Sequence, residues 1–400
     1  MLSSLRASIP LPNLAVAEPF RRRLLRWYDR HARALPWRET RDPYYIWLSE
    51  IMLQQTRVAA VIAHYREFLR RFPTVQKLAA ARESSVLAAW SGLGYYRRAR
   101  MLHAAAKLVV KKHGGEFPKT AEDLKELPGI GRYTAAAIAS IAFNQTVAVV
   151  DGNVERVLQR VLARTLKNGA IWASADHLLD PSRPGDFNQA MMELGATVCT
   201  PRSPSCLTCP VIELCATRGE LPSNGKPASQ TKREIHYALF CRRNGTGNVR
   251  TDRGEMLLVQ RPKDSSLMPG MWELPEIAAP PTLERRRNHS REAAAYDSPG
   301  RQPRVSVQNG GASPAGATDL TARTPLFTVR HSITTTDYTV QVWQMRVPPK
   351  LCGQWIRMDR AHTLPLTGLA RKILRKAAIF VESDKTSVRR LSSSKIKNKS

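Results

Sequence analysis

Hydrophobic and polar positions divide the chain into two regions. From residue 14 to about 215, apolar residues recur at steps of three and four, the period of helices with one buried face. Phe20, Leu24, Trp27, Tyr28 and His31 share such a face, predicting a helix over 14–34 that Leu35-Pro36-Trp37-Arg38 ends. Pro43 and Tyr44 open a second helix through Trp47, Leu48, Glu50, Ile51, Leu53 and Val58. Further helices are predicted over 59–71, 75–90, 97–113, 121–127, 133–143, 152–164 and 186–197, joined by short Gly/Pro turns. Strand signals are almost absent up to residue 215. Residues 219–234 are polar and rich in Pro, Gly and Ser, which reads as a linker. Beyond it the pattern changes. Ile235–Arg242, Glu255–Gln260, Leu326–Val329 and Tyr338–Val347 read as strands, and 362–380 returns to a helix. The expectation is an all-α domain over 14–218 and an α+β domain over 235–380. Residues 1–13 and a basic tail over 381–400 are expected to be disordered, and 277–320 to be a mobile insertion.

Charge narrows the function classes. Sixty-two Lys and Arg against 33 Asp and Glu give a net charge of +29, which favours a polyanionic partner. Charge alone would also suit a membrane surface or a solvated face. No run of about 18 apolar residues occurs, so no membrane span is expected, and there is no signal-peptide core. Four of the six cysteines crowd into 199–215, as in a metal or cluster site rather than a disulfide framework. A reducing, cytoplasmic setting is expected.

Three local features carry candidate chemistry. Leu127-Pro128-Gly129-Ile130-Gly131 makes a tight turn between two helical patterns, a hairpin over 121–140 that can aim backbone N–H groups at a phosphate. Cys199, Cys206, Cys209 and Cys215 have the spacing C-x6-C-x2-C-x5-C. Four thiolates in one short loop repel unless a metal neutralises them. A structural zinc would show two short C-x2-C pairs, so the uneven spacing fits an iron–sulfur cluster better. Arg202 and Arg218 are placed to face phosphates, and Cys241 and Cys352 are expected in the core. Glu50 sits among Trp47, Leu48, Ile51 and Leu53; apolar neighbours would raise its pKa and make it a general acid. Pattern alone leans towards an ordinary helical Glu on a solvated face. Asp151 precedes a helical pattern, where an N-cap is its plain role.

The hairpin, Asp151 and the cysteine spacing together resemble the helix-hairpin-helix DNA glycosylases that carry an iron–sulfur cluster. Within them the chain resembles the MutY-type adenine DNA glycosylases, through Leu35–Arg38, Trp47–Thr56, Gly92-Leu93-Gly94-Tyr95-Tyr96, Asp151–Val154 and Phe187–Met192. The resemblance is dense over 20–220 and loose over 235–380. It implies removal of adenine paired with 8-oxoguanine or guanine from double-stranded DNA by a monomer. It also implies a [4Fe-4S] cluster on the four cysteines and a Nudix-like C-terminal domain that reads the oxidised guanine.

The resemblance also assigns roles. Glu50 would protonate the leaving base and later orient water, while Asp151 stabilises the oxocarbenium-like sugar, helped by Asn153. Tyr133 stands where the related endonuclease III proteins place a Lys nucleophile. A phenol forms no Schiff base, which predicts a glycosylase without strand cleavage. Gln54, Gln55 and Tyr95 match positions that fill the duplex once the base has left the stack. Leu127, Gly129, Gly131 and Thr134 are the hairpin's candidate DNA contacts, and Arg97, Arg98 and Arg100 are either phosphate contacts or a solvated face. Gln260-Arg261-Pro262 and Gly270–Pro275 resemble the start of a Nudix fold, but no glutamate-rich Mg²⁺ box follows Pro275, so pyrophosphate hydrolysis is not expected. The best match to a lesion-reading loop is Arg330–Thr335, with His331, Ser332 and Thr334 as candidates and Thr335 where the family carries His. The competing readings are a thymine-mismatch glycosylase, an endonuclease III-like lyase and a noncatalytic iron–sulfur DNA-binding protein.

Overall fold

The computed structural model describes residues 14–166, 169–220, 231–243, 254–265, 268–278, 324–333, 336–345 and 352–379. Residues 1–13, most of the linker and of the 277–320 stretch, Thr334, Thr335 and the 381–400 tail lie outside them. The chain divides into two compact units, Met1–Pro227 and Ala228–Ser400.

The described part of the first unit is helical throughout: α1 (Leu14–His31), α2 (Pro43–Leu53), α3 (Val58–Arg71), α4 (Val75–Ala80), α5 (Glu83–Trp90), α6 (Arg97–His113), α7 (Ala121–Leu124), α8 (Arg132–Phe143), α9 (Gly152–Val161), α10 (Gly169–Leu178) and α11 (Pro184–Thr197). Three of these correct the sequence reading. Helix α2, expected to run through Val58, ends at Leu53, and Val58 instead opens α3. The helix expected over 75–90 breaks at Ala81-Arg82. In one continuous helix Leu78 and Leu87 would point about 180° apart; the break lets both be buried. Helix α10 was not expected, although Ile171, Ser174, Ala175 and Leu178 form its buried stripe.

Helix α2 is the axis of this unit. Every residue from Ile46 to Met52 is buried, so it has no solvent face to give Glu50. Asp42 caps its start by accepting from the Tyr44 N–H at 2.8 Å. Aromatic rings wedge it in place; Trp47 meets Phe117 at 5.4 Å between ring centres and Tyr44 at 6.4 Å. A second core is built from α1, α9, α10 and α11, with Phe20, Leu24, Val157, Leu158, Phe187 and Leu194.

Among the described residues, the second unit holds two small sheets and an α-helix. One is mixed, in the order β5 (Glu276–Ile277), β1 (Thr231–Leu239), β7 (Thr336–Gln344), β6 (Phe327–Ile333), with β1 and β7 parallel. The other pairs β3 (Gly254–Gln260) with β2 (Cys241–Arg243), β4 (Trp272–Glu273) and β8 (Gln354–Arg357). Helix α12 (Gly368–Lys376) buries Leu369, Ala370, Ile373 and Leu374 on a core that includes Tyr237, Leu239, Val340 and Val342. It replaces the helix expected over 362–380; its start is fixed by Thr367, whose hydroxyl accepts from the Ala370 N–H. Strands β4, β5 and β8 were missed, being too short to show a period of two. Ile277, placed at the start of the insertion, is instead paired to β1. Cys241 and Cys352 are exposed rather than in the core. His331 and Ser332, expected on a loop, lie on β6 opposite Tyr338 and Asp337.

Candidate active site

A cavity of about 710 Å³ opens in the first unit. Glu50, Tyr133, Asp151 and Asn153 all line it, with Gln54, Gln55, Gln189, Met192 and Glu193. Four segments far apart in sequence therefore meet there, and each carboxyl arrives by a different local rule.

Glu50 arrives on the buried helix. It is 6% exposed. The Tyr133 hydroxyl, 83 residues away in sequence, donates to its Oε2 at 2.7 Å and lies 3.3 Å from the Met192 sulfur. Burial pushes the Glu50 carboxyl up to about 7; the Tyr133 hydrogen bond opposes the rise, the Asp151 charge adds to it and Arg38 pulls it back. Burial, with Glu50 and Asp151 alongside, also holds the Tyr133 phenol well above its ordinary value, so it keeps its proton.

Asp151 arrives as the N-cap of α9. Its Oδ1 accepts from the Asn153 N–H at 2.9 Å and the Val154 N–H at 2.7 Å, and its Oδ2 accepts from the Asn153 side-chain amide at 2.9 Å. The capping role is met, and the same carboxyl faces the cavity. The irregular stretch leading to it is pinned by buried Asn188, which accepts from the Val149 N–H and donates to the Val147 carbonyl and the Ser140 hydroxyl. Gly195 of α11 lets that helix approach closely: a Cβ there would sit 2.6 Å from the Asn153 Cβ. Arg156 then bridges Asn153 Oδ1 at 2.8 Å to the Gly195 and Cys199 carbonyls.

The opposite wall was missed from the sequence. Glu193 is 1% exposed and accepts from Arg33 Nε at 2.6 Å, Arg33 Nη2 at 2.8 Å and Arg38 Nη2 at 2.8 Å. Burial pushes its carboxyl up, but the two arginines outweigh burial and hold it below the usual range. The signal that marked Glu50, a lone Glu in an apolar helical run, was present around Glu193 too.

The other sequence candidates divide by location. Gln54 and Gln55 line the cavity, Gln55 exposed at its rim. Tyr95 stands outside the lining and is 49% exposed. In the hairpin, Leu127 and Thr134 are buried, while Gly129, Gly131 and Arg132 are exposed, leaving backbone rather than those two side chains at the surface. Gly129 has φ +78° and a Cβ there would sit 2.6 Å from the Met101 Cβ, so the turn requires glycine.

Cys209 lies within electrostatic reach of the other three loop cysteines. Burial pushes the Cys209 thiol up to about 11, and Cys199, Cys215 and Cys206 push it the same way. Cys199, Cys209 and Cys215 pack on the second core, and Arg160 donates to the Cys199 sulfur at 3.3 Å. Among the described residues no three His, Cys, Asp or Glu side chains form a group able to hold a metal ion directly. Arg202 and Arg218 are exposed beside this loop.

A family profile for HhH-GPD superfamily base excision DNA repair proteins matches residues 48–170, which include the Glu50 half of α2, the hairpin and α9. The adenine DNA glycosylase of Homo sapiens is 37% identical over 428 residues, covering 91% of this chain and 74% of that protein. The chain belongs to the adenine DNA glycosylase family. The Mus musculus member is 43% identical over 70% of this chain, which spans 64% of that protein's length. The Mycobacterium tuberculosis member is 43% identical over 60% of this chain and 77% of its own. Among solved structures, a thermostable thymine-DNA glycosylase matches at TM-score 0.49 with 30% identity, over 51% of this chain and 97% of that one. A trapped endonuclease III–DNA covalent intermediate matches at 0.46 with 21% identity, over 52% of this chain and 98% of that one.

Proposed function

We propose that this chain is a monofunctional DNA glycosylase of base excision repair that removes adenine mispaired with 8-oxoguanine or guanine. One observation carries the reading: a buried carboxyl, Glu50, pushed up to about 7 and capped by a phenol, in a cavity that also holds Asp151. A group titrating near neutrality can hold a proton and give it to the departing base. Once deprotonated, Glu50 orients the water that attacks the sugar. Asp151, fixed by three hydrogen bonds, offers its negative charge to the oxocarbenium-like sugar. Tyr133 offers no amine for a Schiff base, so the product is an abasic site in an intact strand. Pure binding to a polyanion would gain nothing from two carboxyls in the cavity, which disfavours the noncatalytic alternative.

An all-thiol donor set, with an arginine N–H on one sulfur and the loop packed against the core, suits a [4Fe-4S] cluster held by Cys199, Cys206, Cys209 and Cys215. When bound, the cluster would fix the loop that carries Arg202, with Arg218 just beyond it, towards DNA. The second unit, with its mixed sheet and α12, would act as a Nudix-like reader of the oxidised guanine. His331 and Ser332 on β6 are the candidates there, with Thr334. A monomer acting on double-stranded DNA in a reducing compartment completes the reading.

A single-turnover assay on duplexes carrying A opposite 8-oxoguanine, A opposite G and T opposite G tests it. Base release is expected from the first two, without strand cleavage until alkali is added. Release from T:G alone overturns the substrate, and cleavage without alkali overturns the Tyr133 argument. Metal analysis of anaerobically purified protein should find iron and sulfide rather than zinc.

A further inference from the structure

Arg98 stood in the sequence as one of three arginines open to phosphate. The structure uses its guanidinium internally. Nη1 donates to the carbonyls of Ile51 at 2.9 Å and Met52 at 3.1 Å, and to that of Gln54. Nη2 donates to the Thr56 hydroxyl at 3.2 Å and to the carbonyls of Leu93 at 3.0 Å and Gly94 at 3.2 Å. Two nitrogens therefore tie two turns together: Leu53–Thr56, which ends the Glu50 helix and lines the cavity, and Leu93–Tyr95, before α6. The first three carbonyls belong to the end of α2, whose last carbonyls lack helical partners and attract a cation. Burial lowers the guanidinium's pKa to about 10, which still leaves it charged at neutral pH.

Both turns hold a side chain in an unfavourable backbone conformation. Gln55 has φ +55° and Tyr95 has φ +48°, the left-handed region that residues with a Cβ rarely adopt. Both are exposed. The Arg98 guanidinium also lies 5.5 Å from the ring centres of Trp90 and Tyr95. One half-buried cation thus fixes the backbone of Gln54, the turn that follows it, and the ring of Tyr95. Such strain persists where surrounding structure over-determines it, and it concentrates where a side chain must be aimed.

We infer that Arg98 is a positioning residue that locks the Leu53–Thr56 and Leu93–Tyr95 turns into one rigid wedge, so that Gln55 and Tyr95 meet the duplex together and hold the target base out of the stack. This rests on the glycosylase reading above. Arg98 touches neither Glu50 nor Asp151 among its hydrogen-bond partners, so its loss acts on extrusion of the base rather than on the bond-breaking step. A lysine carries the charge but cannot fork to both turns.

The test compares R98Q and R98K with the unaltered protein on two substrates: adenine opposite 8-oxoguanine, and adenine opposite an abasic site, where extrusion costs less. Single-turnover release from the paired substrate should slow on the order of tenfold to a hundredfold in R98Q, with R98K intermediate. Release from the unpaired adenine should be nearly unchanged. With 2-aminopurine at the target position, the fluorescence rise on binding should shrink in R98Q. Equal slowing on both substrates, or none on either, overturns the inference. Should R98Q fail to fold, R98K and T56V, which removes one acceptor without burying a new charge, carry the same ratio test. If the unaltered protein releases adenine from neither substrate, the glycosylase reading falls, a result distinct from loss of the Arg98 effect.

Discussion

Two glutamates line the same cavity, both nearly inaccessible to solvent, and their surroundings send them in opposite directions. Glu50, at the end of an all-apolar helix, meets one phenol, and burial dominates. Glu193, on α11, meets two arginines, and pairing dominates. The same side chain holds its proton towards neutrality on one wall and is kept ionised by two cations on the other. Burial alone therefore does not mark a catalytic acid; what matters is whether a cation arrives with the carboxyl.

The largest expected effect breaks the comparison on the catalytic side. E50Q should slow adenine release on the order of 10³-fold while still binding the mispaired duplex, measured by single turnover and by a binding titration. Near-normal turnover would remove Glu50 as the acid. D151N should slow release on the order of 10²-fold. Asn caps helices as well as Asp does, so the D151N melting temperature should stay close to that of the unaltered protein; a large fall would make Asp151 chiefly structural.

On the other wall, E193Q leaves Arg33 and Arg38 without their buried counter-charge. Breaking such a pair is costly, but Arg33 is 40% exposed, so a loss of about 2 kcal/mol is expected after allowing for screening. Calorimetry should show E193Q melting below the unaltered protein, and E50Q not.

The two residues also give opposite pH slopes. The folded-state pKa of Glu50 lies above its usual 4.5, at about 7. Its contribution to stability is fully present below pH about 4.5 and is lost as pH rises through about 7. Glu193 is depressed; its contribution is present above its ordinary value and is lost as pH falls through its lowered one. Melting curves across pH for the unaltered protein, E50Q and E193Q separate the two, since each variant should lose one slope. The smallest effect is expected from Y133F. Removing a hydrogen bond that lowers the Glu50 pKa should move the alkaline limb of the activity profile to higher pH, with only a modest change in the maximal rate. An unmoved limb would mean that Tyr133 does not tune Glu50.

The sequence alone determined the helical period to residue 215, the change to strands beyond 235, the Gly129 turn, the cysteine spacing and the place of Glu50 on a helix, although its pattern leaned towards a solvated face that the packed helix does not have. These are local properties, written within a few turns of chain. It also pointed to Asp151 as a cap, because a cap is read from the residues that follow it. Tertiary structure decided the rest. Tyr133 reaches Glu50 across 83 residues, and Arg33 and Arg38 reach Glu193 across 160 and 155. Arg98 looked like a surface cation until two turns were seen to close around it. Periodicity says that a residue is buried but not who is buried with it. A carboxyl's pKa depends on those distant partners, so the opposite shifts of Glu50 and Glu193 became legible only when the helices were packed.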